Sequence, residues 1–425
     1  MGQGRAASAG RGAPRVVALH NGLRVAVESM PQAYSVAITV WVGAGSHYET
    51  ADESGASHFL EHMLFKGTAN RSGRELAAQI DGLGGEVNAS TSRDATVYYA
   101  RVLPEVWQEA TFLLADMLLN ARLEAEDVER ERQVILEEVR GENENPESAG
   151  QDLFDATMWD THALGRPVAG TEASVAAVPP EALRRIRAEL YTPDNAIVAV
   201  AGRVTVAEAL SVAGQAFGAW SGTRQRALPP PPAYAPRVAT LRRAIDQAQL
   251  FLGCAAPGLH DPNRHAATLL AVALGGGTSS RLFQRIREDE GLAYSVEAFH
   301  EIYSTAGLLG VYAGVEPARV RRTALIAREE MLRLAQQPLP DEELARARAQ
   351  VRSSLLLGLE SPVERAMRIG ESQLLLGQVV PPEQVLASLS AVQPEQIQAL
   401  AQQLLAGPLT VAAVGPMRRV DLMGV

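Results

Sequence analysis

The same order of strands and helices occurs twice along this 425-residue chain, once on each side of a proline-rich segment. That segment runs from Ser221 to Arg237 and contains the four consecutive prolines Pro229 to Pro232, a composition typical of a semi-rigid linker. A repeat of this length favours two similar folding units over one large one. We therefore predict two homologous domains, residues 16–220 and 238–425, joined by a linker at 221–237 and preceded by a disordered arm at 1–15.

The secondary structure predicted for each half fixes the expected fold class. Each half combines short strands rich in β-branched residues with long helices, and the turn signal Asn21-Gly22 marks a hairpin. Aligning Gly67-Thr68 with Gly277-Thr278 brings the two halves into register at an offset of 210 residues. This arrangement predicts an α+β fold, in which each domain is a mostly antiparallel sheet with helices packed on one face.

The segment His58-Phe59-Leu60-Glu61-His62 places two imidazoles and a carboxylate in an apolar, helical stretch. On a helix His58 and His62 lie about 40° apart, and Glu61 falls on the same side, because the rotation is about 100° per residue. Two neutral imidazoles on one face are what a zinc ion needs from its first two ligands. A solvated helix edge is the alternative, but the apolar flanks would bury these groups without partners. We predict a metal site in which Glu61 acts on a water molecule.

A catalytic zinc ion requires a third protein ligand, and the helical stretch from Val128 to Gly141 offers several glutamates. Glu131 and Glu138 lie seven residues apart and share a helix face, whereas Glu137 points about 100° away. Because a glutamate-rich helix is usually a solvated one, the spacing alone leaves the third ligand open.

The stretch from Ser57 to Thr68 resembles the signature of the pitrilysin family of zinc peptidases, with its inverted order His-x-x-Glu-His. This family includes insulin-degrading enzyme, the mitochondrial processing peptidase and two-domain bacterial relatives. The resemblance covers nearly the whole chain and implies that Glu138 completes the metal site with His58 and His62, holding one Zn²⁺ per chain. It further implies that Glu131 supports the site by orienting a ligating imidazole.

The resemblance also implies how the two halves cooperate. The two domains are expected to face each other as a half-clamshell, and the second is expected to have no metal site. At the offset of 210 residues, Thr268, Ala271 and Val272 stand opposite His58, Glu61 and His62 and offer no imidazole or carboxylate.

Two further segments are similar to family segments that contact the substrate. Asn88 and Ala89 follow Gly84-Gly85 and would otherwise be read as ordinary turn residues. The resemblance implies that they lie on an exposed edge strand, onto which the substrate adds as a further strand. On residue type alone, Arg287 would be a helix surface charge and Tyr294 a half-buried strand residue. The resemblance implies that both bind the substrate near the scissile bond, since both can donate to a carbonyl or an oxyanion.

The predicted metal and substrate residues together indicate a peptidase, and two alternative functions stay open. The chain is predicted to be a zinc-dependent endopeptidase that hydrolyses unstructured peptides or presequence-like segments inside a dimeric chamber. A homodimer is expected because one chain carries both the metal residues and Arg287 with Tyr294. The alternatives are the catalytic subunit of an obligate heterodimer with a metal-free paralogue, and a non-catalytic scaffold subunit with the same fold.

Composition limits the environment in which the chain works. The net charge of −10 disfavours nucleic acid as a partner, and no apolar run is long enough to span a membrane. The single cysteine, Cys254, excludes an internal disulfide framework and fits a reducing compartment. The first fifteen residues lack the apolar core of a secretory signal. We expect a bacterial cytoplasmic location and regard a mitochondrial matrix location as the weaker alternative.

Overall fold

The computed structural model describes residues 13 to 418 together with Leu422 and Gly424, so most of the predicted arm at 1–15 lies outside the described residues. Six strands of the first half form one sheet: β1 (Arg15–Ala18), β2 (Arg24–Ser29), β3 (Val36–Val42), β4 (Glu86–Thr91), β5 (Thr96–Val102) and β6 (Ala196–Gly202). Their spatial order is β1–β2–β6–β3–β5–β4, which leaves β4 at an edge. β2 and β6 pair in parallel, and every other neighbouring pair of this sheet is antiparallel.

Five strands of the second half form the other sheet: β7 (Val238–Arg242), β8 (Ala248–Ala256), β9 (Ala293–Ile302), β10 (Gly307–Val315) and β11 (Thr410–Gly415). Their order is β7–β11–β8–β10–β9, with β7 and β11 parallel and the other pairs antiparallel. This is the order β2–β6–β3–β5–β4 of the first sheet, with the parallel pair in the same place. The repeat seen in the sequence is therefore a repeat of topology, and β9 is the counterpart of the edge strand β4.

Most helices pack on the sheet of their own half. The helices of the first half are α1 (Ala56–Met63), α2 (Gly73–Gly82), α3 (Trp107–Asn120), α4 (Ala125–Glu144), α5 (Pro146–Trp159), α6 (Glu172–Ala177), α7 (Pro180–Leu190) and α8 (Val206–Phe217). Helices α3 and α8 contact the sheet, and Ile38, Leu113 and Phe217 belong to the shared core. Helix α1, which carries the predicted metal-binding histidines, contributes Phe59 and Leu60 to the same core, and this fixes the helix relative to the sheet.

The second half repeats this packing around its own core. Its helices are α9 (Arg264–Gly275), α10 (Val320–Gln336), α11 (Asp341–Gly358), α12 (Pro362–Leu376), α13 (Pro382–Ala391) and α14 (Pro394–Leu405), with a π-helical segment at Phe283–Asp289. Helices α9, α10 and α14 contact the sheet, and Leu270, Ile326 and Ile397 lie in the core between them. α9 occupies the place that α1 has in the first half, as the offset of 210 residues predicts.

Each sheet also carries one helix from the other half on its second face. α12 packs on β3 and β6, where Trp41, Ile197 and Ile369 are buried together. A Cβ atom at Gly370 would lie 2.2 Å from Cδ1 of Trp41, so this close approach requires glycine. α5 packs on β8 and β11, and the rings of Phe154 and Phe251 stack 5.7 Å apart. Apolar residues on both faces of the central strands explain why both faces are covered.

The α+β class with two mostly antiparallel sheets in a half-clamshell is thus confirmed, with the exchange of α5 and α12 as an unpredicted addition. The boundaries drawn around 221–237 stay a prediction, although Arg226 holds this stretch to the first half through ion pairs of 2.6 Å with Glu53 and Glu189. None of the helices in the described part of the chain combines the length and apolar character needed to span a bilayer.

Candidate metal centre

The start of α1, the helix that carries both histidines, is fixed by the buried carboxylate of Glu49. Its Oε2 accepts the N–H of Gly55 at 2.9 Å and its Oε1 accepts the N–H of Ser57 at 2.6 Å. Gly55 has a φ of 90°, in the left-handed region that favours glycine. The first free N–H groups of the helix are therefore satisfied by an acceptor that also suits the helix dipole. His58 lies in the turn that this anchor holds.

Helices α1 and α4 pack together and bring His58, His62 and Glu138 into one cluster. Nε2 of His58 lies 3.7 Å from Oε1 of Glu138, and Nε2 of His62 lies 3.5 Å from Oε2 of Glu138. One ligand atom from each residue lies within 4.8 Å of the other two. A tetrahedral zinc ion with bonds of about 2.0–2.2 Å places neighbouring ligand atoms roughly 3.3–3.6 Å apart. The donor set therefore fits the predicted ion.

The two imidazoles differ in their electrostatic surroundings. Burial and the neighbouring His62 lower the pKa of His58 to about 4, so this ring is neutral near pH 7 and can offer a lone pair. Burial also lowers the pKa of His62, but the hydrogen bond to Glu131 and the charges of Glu138 and Glu131 raise it above its ordinary value overall. The carboxylate of Glu131 thus makes His62 the more basic ligand.

Glu131 lies where the sequence analysis expects it, behind a ligating imidazole. Its side chain is only 6% exposed, and its Oε1 lies 2.9 Å from Nδ1 of His62. Its Oε2 accepts a hydrogen bond from Nζ of Lys66 at 2.6 Å. Burial raises the pKa of Glu131, but the hydrogen bonds from His62 and Lys66 outweigh it and leave the pKa below its ordinary value. The sequence analysis did not single out Lys66.

Glu61, the predicted base, is held by a residue that the sequence analysis also missed. Its Oε2 accepts a hydrogen bond of 2.5 Å from Oγ1 of Thr91, the last residue of β4. Burial raises the pKa of Glu61 above its ordinary value, and the hydrogen bond from Thr91 opposes this rise. No local pattern links residues thirty positions apart, because only the packing of β4 against α1 brings them together.

Replacing Thr91 with valine keeps the shape of the side chain but removes its hydroxyl donor. Since a hydrogen bond to a charged group contributes about 1.5–3 kcal/mol, we expect kcat/KM to fall by roughly 10- to 100-fold, while Thr91→Ser stays near wild type. Loss of the donor also raises the pKa of Glu61, so the acid limb of the pH–rate profile should move to higher pH. Peptide cleavage measured across pH checks both effects. An unchanged profile in Thr91→Val would show that this hydroxyl does not act on Glu61.

The predicted substrate contacts Asn88 and Ala89 lie on the edge strand β4, where exposed and half-buried residues alternate. The N–H of Ala89 donates to Oδ1 of Asn88 at 2.9 Å. β4 is the last strand of its sheet, and its outer side pairs with no other strand in the described chain. This backbone edge is therefore open to an added strand.

Arg287 and Tyr294 lie together, and the contacts found for them among the described residues do not include His58, His62 or Glu138. The guanidinium of Arg287 stacks 4.9 Å from the ring centre of Tyr294 and 4.8 Å from that of Phe283. Tyr294, on the edge strand β9, is 75% exposed, far more than a half-buried strand residue would be. Neither side chain is among the described residues that line the cavity next to His58. No contact found within the described part of the chain joins these two residues to the metal cluster.

A cavity of about 960 Å³ lies between the two halves and reaches His58. Its walls come from the β4–β5 turn and α12 on the side of the first sheet and from β9 and α5 on the side of the second sheet. Arg93 is the only lysine or arginine among the described residues that line it. Eight carboxylates line it as well: Asp94, Glu142, Glu147, Asp152, Asp155, Glu297, Glu301 and Glu371. The space beside the metal cluster is therefore strongly acidic.

Family models cover most of the chain. Residues 24–172 match the model described as insulinase (peptidase family M16), and residues 177–351 match the model described as the peptidase M16 inactive domain. The second match agrees with the lack of metal ligands in that half at the positions equivalent to His58, Glu61 and His62.

Several relatives and solved structures are similar over nearly their whole length. The chain is 38% identical to an uncharacterised zinc protease of Streptomyces coelicolor, over 96% of this chain and 91% of that protein. It is 35% identical to the uncharacterised zinc protease YmxG of Bacillus subtilis, over 93% and 97% of the two chains. A protease from Helicobacter pylori superimposes with a TM-score of 0.87 at 21% identity, over 95% of this chain and all of that one. A chain of complex III2 from Candida albicans superimposes with a TM-score of 0.83 at 20% identity, over 96% of this chain and 97% of that one.

Proposed function

The chain belongs to the insulinase family of peptidases, M16, and from this premise we propose that it is a zinc-dependent endopeptidase acting on unstructured peptides. The observation that carries the proposal is the convergence of His58, His62 and Glu138 beside Glu61, at spacings that suit one zinc ion per chain. The scaffold alternative shares the fold alone and gives no reason for this set of donors.

The chain's own residues divide the work of hydrolysis. A bound zinc ion supplies a lower pKa for the attacking water and polarisation of the scissile carbonyl. Glu61 removes the proton of that water at its carboxylate and passes it to the leaving amine, a role helped by the raised pKa that burial gives it. Thr91 orients the carboxylate of Glu61, and Glu131 fixes the ring of His62.

The shape and charge of the cavity define the class of substrate. A space of about 960 Å³ beside β4 admits an extended peptide but not a folded domain, and an added strand would pair with Asn88 and Ala89. Burial raises the pKa of Asp152, and burial together with Asp94 raises that of Glu371. Because eight carboxylates and one arginine line the cavity, a cationic ligand suits it, so we propose that basic, presequence-like segments are preferred.

Arg287 and Tyr294 contact each other and make no described contact with the metal cluster, which leads to a proposal for the assembly. Both are exposed or half-buried on one surface of the second half, where a partner can reach them. We propose a homodimer in which these residues of one chain complete the metal centre of the other.

A pair of quenched peptides with arginines or glutamates at the same positions tests the substrate class. We expect zinc-dependent cleavage of both, with kcat/KM for the basic peptide at least about tenfold higher at low salt and converging at high salt. The double variant Asp152→Asn with Glu371→Gln should bring the kcat/KM values of the two peptides closer together. Equal rates in the wild type would contradict the charge preference, and no cleavage by a zinc-loaded wild type would favour the scaffold or a heterodimer.

A further inference from the structure

Lysine is used once in the whole chain. Of the 39 lysine and arginine residues, Lys66 is the only lysine. Every other ion pair described for a lysine or arginine side chain uses arginine, on the surface and in buried positions alike. A composition so biased towards arginine indicates that arginine serves wherever a positive charge alone is needed. The one exception lies next to the metal cluster, so an ammonium group has a specific use there.

The contacts of Glu131 show what the ammonium group of Lys66 does. Its two oxygens have different partners: Oε1 meets Nδ1 of His62 at 2.9 Å, and Oε2 meets Nζ of Lys66 at 2.6 Å. Because the side chain of Glu131 is 6% exposed, solvent offers little to replace either partner. Lys66 lies four residues after His62, just beyond the end of α1 at Met63. A point donor on Oε2 leaves Oε1 free for the imidazole.

Two arginines of this chain show how a guanidinium can occupy both oxygens of one carboxylate. Nη1 and Nη2 of Arg226 contact Oε2 and Oε1 of Glu53 at 2.6 and 3.1 Å. Nε and Nη2 of Arg132 contact Oε2 and Oε1 of Glu129 at 3.0 and 2.8 Å. In both pairs the planar guanidinium occupies both oxygens of its partner. A guanidinium on Glu131 would in the same way compete with His62 for Oε1.

We propose that Lys66 is a positioning residue for the metal centre: its ammonium holds Oε2 of Glu131 so that Oε1 fixes His62, and arginine cannot take its place. This role rests on the proposed zinc site. The contact described for Lys66 is with Glu131 and not with a ligand atom of the cluster, so in this proposal it acts through Glu131 and His62. With Nδ1 of His62 held by Glu131, Nε2 faces Glu138 and the place of the metal.

Zinc affinity of the purified protein, measured by competition with a chromophoric chelator, tests the role without relying on catalysis. We expect Lys66→Arg and Lys66→Met each to raise the zinc dissociation constant by about 10- to 100-fold. In a Glu131→Gln background the same substitutions should add little, because the path to His62 is already broken. Arg333→Lys is the matched control, since Arg333 pairs at 2.8 Å with Glu330, whose side chain is also 6% exposed and lies in the second half.

A chemical rescue distinguishes an effect of losing the ammonium group from an effect of misfolding. Lys66→Cys treated with 2-bromoethylamine regains an amine of similar reach, while the buried Cys254 stays protected. We expect this amine-bearing product to recover zinc affinity, whereas the same variant with its introduced cysteine methylthiolated should not. The metal-free forms of both products should have equal melting temperatures. A wild-type zinc affinity of Lys66→Arg would contradict the role of Lys66, and so would additive effects of the Lys66 and Glu131→Gln substitutions. Neither result would contradict the metal centre. Failure of the wild type to bind zinc would overturn the metal centre itself.

Discussion

Replacing Glu61 with glutamine is expected to lower peptide hydrolysis by about three to four orders of magnitude while zinc remains bound. The amide has nearly the shape of the carboxylate and can still meet Oγ1 of Thr91, which donates to Glu61 at 2.5 Å. It cannot take a proton from water. His58, His62 and Glu138 are untouched, so the metal cluster should keep its affinity. Initial rates on a quenched peptide, together with the zinc content of the purified protein, check both parts.

Glu137→Gln is the control for this result. Glu137 lies on α4 one position before Glu138 and is 73% exposed at its side chain, where it pairs with Arg140. Glu137→Gln makes the same chemical change near the centre but away from the cluster, and we expect it to leave the rate unchanged. Turnover of Glu61→Gln within tenfold of wild type would rule out Glu61 as the base. A fall in zinc content alongside the loss of rate would instead indicate a structural part for this carboxylate.

The metal cluster could be anticipated from sequence because its geometry is largely local. His58 and His62 share a helix face by spacing alone, and the structure keeps that face intact in α1. The third ligand does not follow from spacing, because Glu131 and Glu138 share one face of α4 and only the family resemblance distinguishes them. The structure gives these two glutamates different partners, with Glu131 behind His62 and Glu138 facing both rings.

The features that sequence reasoning missed depend on contacts between distant segments. Nothing local relates Thr91 to Glu61, or α12 to the sheet of the first half, because each contact follows from tertiary packing. Trp41 and the apolar residues on both faces of β3 are a signal that a second layer covers this sheet. Lys66 could have been found by counting, since a single lysine among 39 basic residues is visible in the sequence.

Mixing two inactive variants should restore activity if each site is shared between two chains. One variant is Glu61→Gln, and the other carries Arg287→Ala with Tyr294→Phe, which we expect to lose at least about 100-fold in rate because two donors to the carbonyl are removed. Complementation is expected because Arg287 and Tyr294 stack on each other at 4.9 Å and the contacts found for them among the described residues do not include His58, His62 or Glu138. Tyr294 is 75% exposed, which suits a residue that acts on a partner.

The size of the recovery distinguishes a shared site from a site within one chain. After subunit exchange of an equimolar mixture, half of the dimers combine both variants, and one of their two sites has an intact Glu61 facing an intact Arg287 and Tyr294. Recovery of about a quarter of the wild-type rate is therefore expected for a two-fold symmetric dimer with composite sites. Mixing Glu61→Gln with a chain that carries all three substitutions leaves no intact site and serves as the control. A mixture no more active than its components would place the whole site in one chain, and Arg287 and Tyr294 would then need another explanation for their exposed, paired arrangement.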